Sequence, residues 1–355
     1  MKAGIITITT GENYGNRLQN YAVQEALKSV GLEPETIHKT TNVFDAEHPK
    51  YLRKYRIKKF LHYHSDKKEQ RILQFHRFTK KYITRSRFVI DKDIPEGLDD
   101  AYQVFIAGSD QVWNPFFEYC TEANFLTFTT YDKKVALSPS IAVDQIPEDR
   151  KADFRRWISD FRLLSVRETK GADLIRDLCG KDAEVLGDPT LYLTAQQWRN
   201  IEKKVSVKTG KYILTYFLGQ CTEKYRRQIH EMARVNDLDI YELQTPEHYT
   251  VAPDEFLYLI DHAACICTDS FHGAVFSIIF HRPFVVYKRE EDFADMSSRM
   301  DDLLSLFHME TRTADQIEKR LLLQTDFSIS DSIIVQMREK MKNYLLKISR
   351  GEGNA

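Results

Sequence analysis

Cysteine is scarce in this chain of 355 residues: there are five, Cys120, Cys179, Cys221, Cys265 and Cys267. An odd number without zinc-ligand spacing disfavours both a disulfide framework and a structural metal. Cys265-x-Cys267 would share one face of a strand and reads as a pair of reduced core thiols. Long apolar runs are missing as well. No stretch approaches the roughly 18 apolar residues of a membrane span, and the run after Met1 is too short for a signal peptide, so a soluble cytoplasmic protein is expected. Net charge is nearly absent, with 51 Lys and Arg against 52 Asp and Glu. That argues against a general nucleic-acid binder, whose domain is usually basic. The chain has no Walker loop, no G-x-S-x-G elbow and no cysteine in a catalytic frame, which disfavours covalent-nucleophile hydrolysis. Core material, by contrast, is plentiful at 42% hydrophobic and 12% aromatic residues, excluding a mainly disordered chain.

The length exceeds one ordinary core and predicts two domains. Short apolar strands alternate with amphipathic helices: strands at Ala3–Thr9, Glu35–His38, Val104–Ala107, Lys134–Ser138, Leu163–Val166 and Glu184–Leu186, with helices at Arg17–Val30, Glu148–Phe161 and Thr169–Cys179. A second cycle follows, with strands at Tyr212–Phe217, Asp239–Glu242, Cys265–Thr268 and Pro283–Val286. Its helices are Lys224–Asn236, Pro253–His262 and Gly273–Phe280, and a long helical tail covers Asp331–Ile348. This alternation predicts an α/β protein of two doubly wound, Rossmann-like domains with parallel sheets. We place them at 1–195 and 196–355, the first carrying a basic helical insertion at about 50–87 and the second a C-terminal helix.

In such sheets ligands sit beyond the carboxyl ends of the strands. The first strand runs into T-G-E-N-Y-G-N-R-L-Q-N-Y-A, where Gly11 and Gly15 permit a tight turn and Asn13, Asn16, Gln19 and Asn20 set amides around a helix start. A polyhydroxylated or phosphorylated ligand would suit them; a capped turn is the alternative. Val104–Ala107 opens into G-S-D-Q-V-W-N-P, so that Ser109, Asp110, Gln111, Trp113 and Asn114 together offer the equipment for gripping a sugar. Asp110 could act as a base or orient a hydroxyl, or the segment is a turn with Trp113 in the core. Arg167 at the end of Leu163–Val166 is either an anion clamp or one half of a surface pair with Glu168. The run C-I-C-T-D-S-F-H-G-A-V-F-S-I-I-F (265–280) crowds Asp269, Ser270 and His272 into the turn before a nearly apolar helix opened by Gly273. The helix dipole there favours an anion and disfavours imidazolium, and Asp269 or an anionic substrate could restore the basicity a proton-transferring histidine needs. Farther on, Ser297, Ser298 and Arg299 either contribute to an anion pocket or begin a helix, with Arg299 paired to Asp301 or Asp302.

Taken in order, N-Y-G-N (13–16), L-Q-N-Y-A (18–22), G-S-D-Q-V-W-N-P (108–115), S-V-R-E (165–168), G-D-P-T (187–190) and T-D-S-F-H-G-A-V-F-S-I-I-F (268–280) resemble the polysaccharide pyruvyl transferase family over Thr10 to about Leu304. The resemblance implies a glycosyltransferase-B-like pair of domains facing a cleft. It also implies an activity, transfer of pyruvate from phosphoenolpyruvate onto sugar hydroxyls as a ketal, with phosphoenolpyruvate as donor substrate and no further cofactor or metal. His272 then matches the family's catalytic histidine, and Arg167 its S-x-R-[DE] arginine, which holds the donor's anionic groups. Asp110 or Asp269 would assist as base. Ketal-forming members often read R-L-H where this chain reads Ser270-Phe271-His272. The missing charge is then supplied by Arg299, Lys288 or Arg289, or the donor differs. The resemblance implies a sugar, nucleotide-sugar or lipid-linked saccharide as acceptor. A nucleotide-sugar glycosyltransferase on the same fold and a non-catalytic glycan-binding protein are the alternatives.

The near-neutral balance conceals a block. Lys50–Arg87 holds 14 Lys and Arg and 2 Asp and Glu, a charge of +12, leaving −13 for the remainder. Leu52, Tyr55, Ile57, Phe60 and Leu61, then Ile72, Phe75, Phe78 and Tyr82, fall at helical spacing. Two solvated amphipathic helices are expected, with peripheral contact to an anionic membrane at its inner face as the sharper option.

Overall fold

Val104–Ala107 is apolar at every position and buried at every position, as a strand covered on both faces must be. In the computed structural model of the protein, which describes residues 1–40, 53–55, 57, 66–207, 210–289 and 297–353, it is the fourth strand, β4, of a wholly parallel sheet. Its companions are β1 (Lys2–Ile6), β2 (Glu33–Lys39), β3 (Arg85–Ile90) and β5 (Lys134–Ala136), in the order β3-β2-β1-β4-β5. The order reverses between β1 and β4, the switch point at which ligands gather.

Successive strand residues point to opposite faces, and two separate cores result. Ile6, Phe105, Ala107 and Ala136 pack with Phe154, Ile158 and Ile175 on one side. The helices supplying these are α3 (Glu148–Ile158) and α4 (Thr169–Cys179), numbered after α1 (Tyr14–Lys28) and α2 (Lys67–Tyr82). Ile5, Val104, Ile106 and Val135 pack with Val23, Ala26 and Leu27 of α1 on the other. Asn13 caps α1, its Oδ1 accepting from the Asn16 N–H at 3.4 Å. A short parallel pair, β6 (Ser165–Val166) and β7 (Glu184–Val185), lies beyond β5, tied to it by the bridge Val135–Leu163.

This first unit comprises Met1–Lys54, His76–Leu193 and Gln336–Ala355; the second is Tyr55–Phe75 with Thr194–Val335. The second sheet is also parallel, in the order β11-β10-β8-β9, formed by β8 (Tyr212–Tyr216), β9 (Asp239–Glu242), β10 (Cys265–Thr268) and β11 (Phe284–Val286). Its switch point lies between β8 and β10. Cys265 and Cys267 project from one face of β10 into a core with Ile213, Val285, Ile229 and Met232, and all five cysteines are free thiols. After the short α5 (Ala195–Arg199) come α6 (Glu223–Asn236), α7 (Pro253–Asp261), α8 (Phe271–Ile279), α9 (Ser297–Leu306) and α10 (Ser328–Arg350).

The division differs from a single cut near 195 in two places. The end of α10 sends Met341, Tyr344, Leu345 and Ile348 into the first unit's α1-side core, and the Tyr344 hydroxyl donates to the Ala136 carbonyl at 2.7 Å. Residues 55–75 group with the second unit. Of the two basic helices, the second is α2, with Ile72, Phe75 and Phe78 buried. The first falls, except for 53–55 and 57, outside the described residues.

Candidate functional site

In the first unit the expected residues do gather at strand ends, and most are tied to one another. The Thr7 hydroxyl, just past β1, donates to the Ser109 carbonyl at 2.9 Å and accepts from Gln19 Nε2 at 3.0 Å. Gln19 also donates to the Asn16 carbonyl, and Asn20 Oδ1 accepts from Thr36. Gln19 and Asn20 are therefore buried braces between α1 and the sheet, not open amide donors. Asn13 and Asn16 remain half-buried, and Gly15 is buried in the helix. Arg17, passed over in the sequence, is 2% exposed, with Nη2 donating to the Gly11 carbonyl at 3.0 Å. A cation one turn into a helix opposes the dipole, and that was the available signal.

Gly108 follows β4 with φ +114°, and a Cβ there would sit 2.5 Å from the Leu137 carbonyl oxygen, so only glycine fits. Asp110 then adopts φ +73°, and Ser138 and Ala142 on the facing segment have φ +52° and +55°. Left-handed backbone at non-glycine residues costs about 1–3 kcal/mol each and tends to cluster at functional sites. Asp110 is 5% exposed; its Oδ1 accepts from the Gln111 N–H at 2.8 Å, and its Oδ2 is buried without a hydrogen-bond partner among the described residues. Asn114 braces the same turn, donating to Gln111 Oε1 and accepting from the Phe116 N–H.

Trp113 corrects the expectation of an aromatic plate for a sugar. It is fully buried, stacked on Phe125 at 5.1 Å and 8°, with Nε1 donating to the Asn124 carbonyl at 3.1 Å. An apolar pocket between α3 and the sheet claims the ring, as the alternative reading had it.

Arg167, at the end of β6, is 5% exposed. Its Nη2 donates to Ser109 Oγ at 2.7 Å, while Nη1 lies 3.1 Å from Asp188 Oδ2 and 3.9 Å from Asp110 Oδ1. It is thus neither a solvent-facing clamp nor a partner of Glu168. Glu168 turns the other way: its Oε1 accepts from Ser140 Oγ at 3.0 Å, the Ile141 N–H at 3.0 Å and the Ala142 N–H at 3.2 Å. The acidic residue of S-V-R-E thereby holds the strained 138–142 turn. Asp188, of the G-D-P-T segment, had no assigned role; its Oδ1 accepts from the Thr190 N–H and hydroxyl, which aims Oδ2 at Arg167.

Lys39 ends β2 in a comparable interior position, 9% exposed, its Nζ donating to Asn124 Oδ1 at 2.7 Å and to the Tyr119 carbonyl. Burial pushes its ammonium pKa down to about 8.

In the second unit, Asp269 and Ser270 follow β10. Both Asp269 oxygens are occupied: Oδ1 accepts from the Leu218 N–H at 2.6 Å and Oδ2 from the Gly219 N–H at 2.8 Å, with Arg289 Nε at 3.4 Å. Asp269 is a clamp on the loop after β8, which corrects its expected part as substrate ligand or base. The same contact commits Arg289. Ser270 is the N-cap of α8, its Oγ accepting from the Gly273 N–H at 3.3 Å. Gly273 is required by packing, since a Cβ would lie 2.7 Å from Thr268 Oγ1. His272 sits half-buried in the first turn of α8, edge-on to Phe271 at 5.4 Å. Arg299, in the first turn of α9, stacks its guanidinium over Phe271 at 5.6 Å. Phe271 is therefore shared by the two groups assigned to proton transfer and to anion binding. The Ser298 side chain lies outside the described residues.

The family model of the polysaccharide pyruvyl transferases matches residues 13–291, most of the chain. The chain belongs to the polysaccharide pyruvyl transferase family. No curated protein matches in sequence. Among solved structures, a putative UDP-N-acetylglucosamine 2-epimerase from Listeria monocytogenes is similar at 10% identity and a TM-score of 0.50, covering 98% of this chain and 94% of that one. A UDP-GlcNAc 2-epimerase from Methanocaldococcus jannaschii is similar at 13% identity and a TM-score of 0.49, covering 97% and 93%. At such identity the Listeria likeness is one of fold alone. The two doubly wound, Rossmann-like units of this pyruvyl transferase family member are of the glycosyltransferase-B-like class. Among its described residues no helix is long and apolar enough to cross a membrane. Glu202, Asp261 and His262 offer ligand atoms within 4.8 Å of one another. Asp261 is held in a two-point pair by Arg199 at 2.8 and 2.9 Å and approached by Arg282 at 3.4 Å, and His262 Nδ1 lies 3.0 Å from the Tyr258 carbonyl oxygen, so both side chains already have partners within the protein.

Proposed function

We propose that the protein transfers pyruvate from phosphoenolpyruvate onto hydroxyls of a sugar in a cell-surface polysaccharide or its precursor, forming a ketal. His272, in the first turn of the helix after β10 and matched to the family's catalytic histidine by the resemblance of T-D-S-F-H-G (268–273), carries the reading. Arg167 and Arg299 are the anion ligands, for carboxylate and phosphate. With Asp269 fully engaged by backbone amides, the donor's own negative charge is what favours a proton on His272 beside the positive helix end. His272 gives that proton to the donor's methylene carbon as the first sugar hydroxyl adds to C2. Phosphate then leaves, and a second hydroxyl closes the ketal. Of the two hydroxyl protons displaced, one replaces that of His272 and the other departs on phosphate. Asp110 exchanges protons with the reacting oxygens. Ser270 caps α8 and adds no charge, so Arg299 stands in for the absent arginine.

Such proton transfer is worth about a hundred- to ten-thousandfold in rate. The acceptor is a sugar, nucleotide-sugar or lipid-linked saccharide, and the basic segment 50–87 is the proposed contact with an anionic membrane surface. The decisive experiment follows phosphate release from phosphoenolpyruvate with candidate acceptors in wild type, His272→Ala and Arg167→Ala. Both variants are expected to lose turnover by at least a hundredfold. Near-normal turnover of His272→Ala would refute the mechanism.

A further inference from the structure

We propose that the ring of Phe116 is the surface on which the acceptor sugar stacks. The inference rests on the reading of the protein as one that modifies a sugar, and it names the side chain that holds the sugar's apolar face.

Trp113 is committed to the core, yet the turn after β4 carries another aromatic. Phe116 is 61% exposed, more than any other large apolar side chain among the described residues. A single exposed ring needs no explanation by itself; its place and its support distinguish this one. The turn leaves the carboxyl end of β4, beside the switch point where ligands gather in such sheets. The backbone on both sides of Phe116 is tied down. Its own N–H donates to Asn114 Oδ1 at 3.0 Å, and Asn114 Nδ2 donates to Gln111 Oε1 at 3.3 Å. Arg150, from α3, spans the loop with one guanidinium. Nη1 donates to the Pro115 carbonyl at 3.3 Å and Nη2 to the Cys120 carbonyl at 3.1 Å. The Tyr119 hydroxyl donates to the Gln111 carbonyl at 3.4 Å, drawing the end of the loop back to its start. An apolar ring held in water on so constrained a backbone loses little further freedom when a ligand covers it.

A pyranose has an apolar face of C–H bonds and a rim of hydroxyls, so a site for one pairs an aromatic surface with a few placed polar groups. The same turn supplies the polar half. Asp110 is 5% exposed, and its Oδ2 is buried without a hydrogen-bond partner among the described residues. Buried polar atoms are normally matched, and a sugar hydroxyl is the donor that this oxygen lacks. The apolar half fits one sugar and no larger partner. A single phenyl ring, with exposed Glu118 close behind it in the chain, falls far short of the roughly 800 Å² a side that a stable protein interface buries.

Saturation-transfer NMR on the full chain tests this, with irradiation of the aromatic protons. The methyl glycosides of glucose, galactose, mannose and N-acetylglucosamine serve as separate probes. In wild type at least one of them is expected to receive saturation at its ring C–H protons, and its affinity should fall about tenfold in Phe116→Ala. Phe116→Trp should restore binding, since the aromatic surface is kept. The exposed ring adds little to folding, so the melting temperature of Phe116→Ala should stay within about 2 °C of wild type. With phosphoenolpyruvate as donor, the alanine variant should raise KM for that glycoside and leave kcat unchanged, as lost uniform binding requires. No glycoside binding in wild type, or a loss that Phe116→Trp leaves unrestored, overturns the proposal. So does a melting temperature lowered well beyond that margin, which would make the ring structural. Affinity unchanged in Phe116→Ala overturns it too, while phosphate release would still uphold the donor assignment. Binding that depends on Phe116 without any phosphate release sinks the donor assignment and upholds this one.

Discussion

Glu168 gives a quantitative test of how the site is held. One carboxylate oxygen accepts three hydrogen bonds, from Ser140 Oγ and the amides of Ile141 and Ala142. Two of the turn's residues, Ser138 and Ala142, have positive φ, so the turn stores strain that these bonds offset. In Glu168→Ala the fully buried Ile141 N–H is orphaned at about 1–3 kcal/mol. The partly exposed Ala142 N–H and the rotatable Ser140 hydroxyl add about 1 kcal/mol between them. A total near 3 kcal/mol follows, or roughly 9 °C in melting temperature for a unit of about two hundred residues. Glu168→Gln keeps an oxygen in place and loses only the charge, which about halves such bonds, so about 1.5 kcal/mol is expected. The turn also positions the site: the Pro139 carbonyl accepts from the Arg167 N–H and the Ser140 N–H donates to the Asp110 carbonyl. Turnover should therefore fall further in the alanine variant than in the glutamine one. Urea titration with a thermal melt measures both. An alanine variant within 1 kcal/mol of wild type, or a glutamine variant as damaged as alanine, would refute the reasoning.

Three further outcomes are expected. Trp113→Ala should cost about 3–5 kcal/mol by denaturation while leaving saccharide affinity unchanged in the folded fraction, since the ring is core. Gly273→Ala should destabilise by about 1–3 kcal/mol, as its Cβ meets Thr268 Oγ1; a neutral melt would show that the turn relaxes. For Lys39, the folded pKa of about 8 lies below the unfolded value near 10.4, so the folded state binds fewer protons between the two. The penalty for a charged Lys39 is complete below pH 8 and relieved as pH rises. Relative to Lys39→Met, with Cys120→Ala in both arms, wild type should gain about 2 kcal/mol from pH 7 to 9.5; a flat difference contradicts a buried, readily discharged ammonium.

Legibility in the sequence followed the range of the forces involved. β4 and β10 could be read because a buried parallel strand is apolar throughout and ends at a polar turn. β3 could not: Arg85 and Arg87 keep it half-exposed, and only its pairing with β2 makes it a strand. Ser109, Asp110 and Arg167 were readable as strand-end residues. Asp188, whose Oδ2 lies 3.1 Å from the Arg167 guanidinium, looked like any residue capping a turn before proline. Trp113 and Asp269 show the complementary limit. Their types suit a ligand, yet side-chain direction is decided by packing, which turned one inward and spent the other on two backbone amides.

The return of α10 has a consequence for biosynthesis. Met341, Leu345 and Ile348 complete a core founded on β1 and α1, and three such buried side chains contribute roughly 5–9 kcal/mol, comparable to the entire stability of an ordinary domain. As the chain leaves the ribosome, the sheet begun by its first residues must therefore wait, incompletely covered, until residue 348 has emerged. The second unit, made later, can close before it. A chain released at residue 335 would carry every residue assigned to chemistry and still lack the means to keep its first sheet dry.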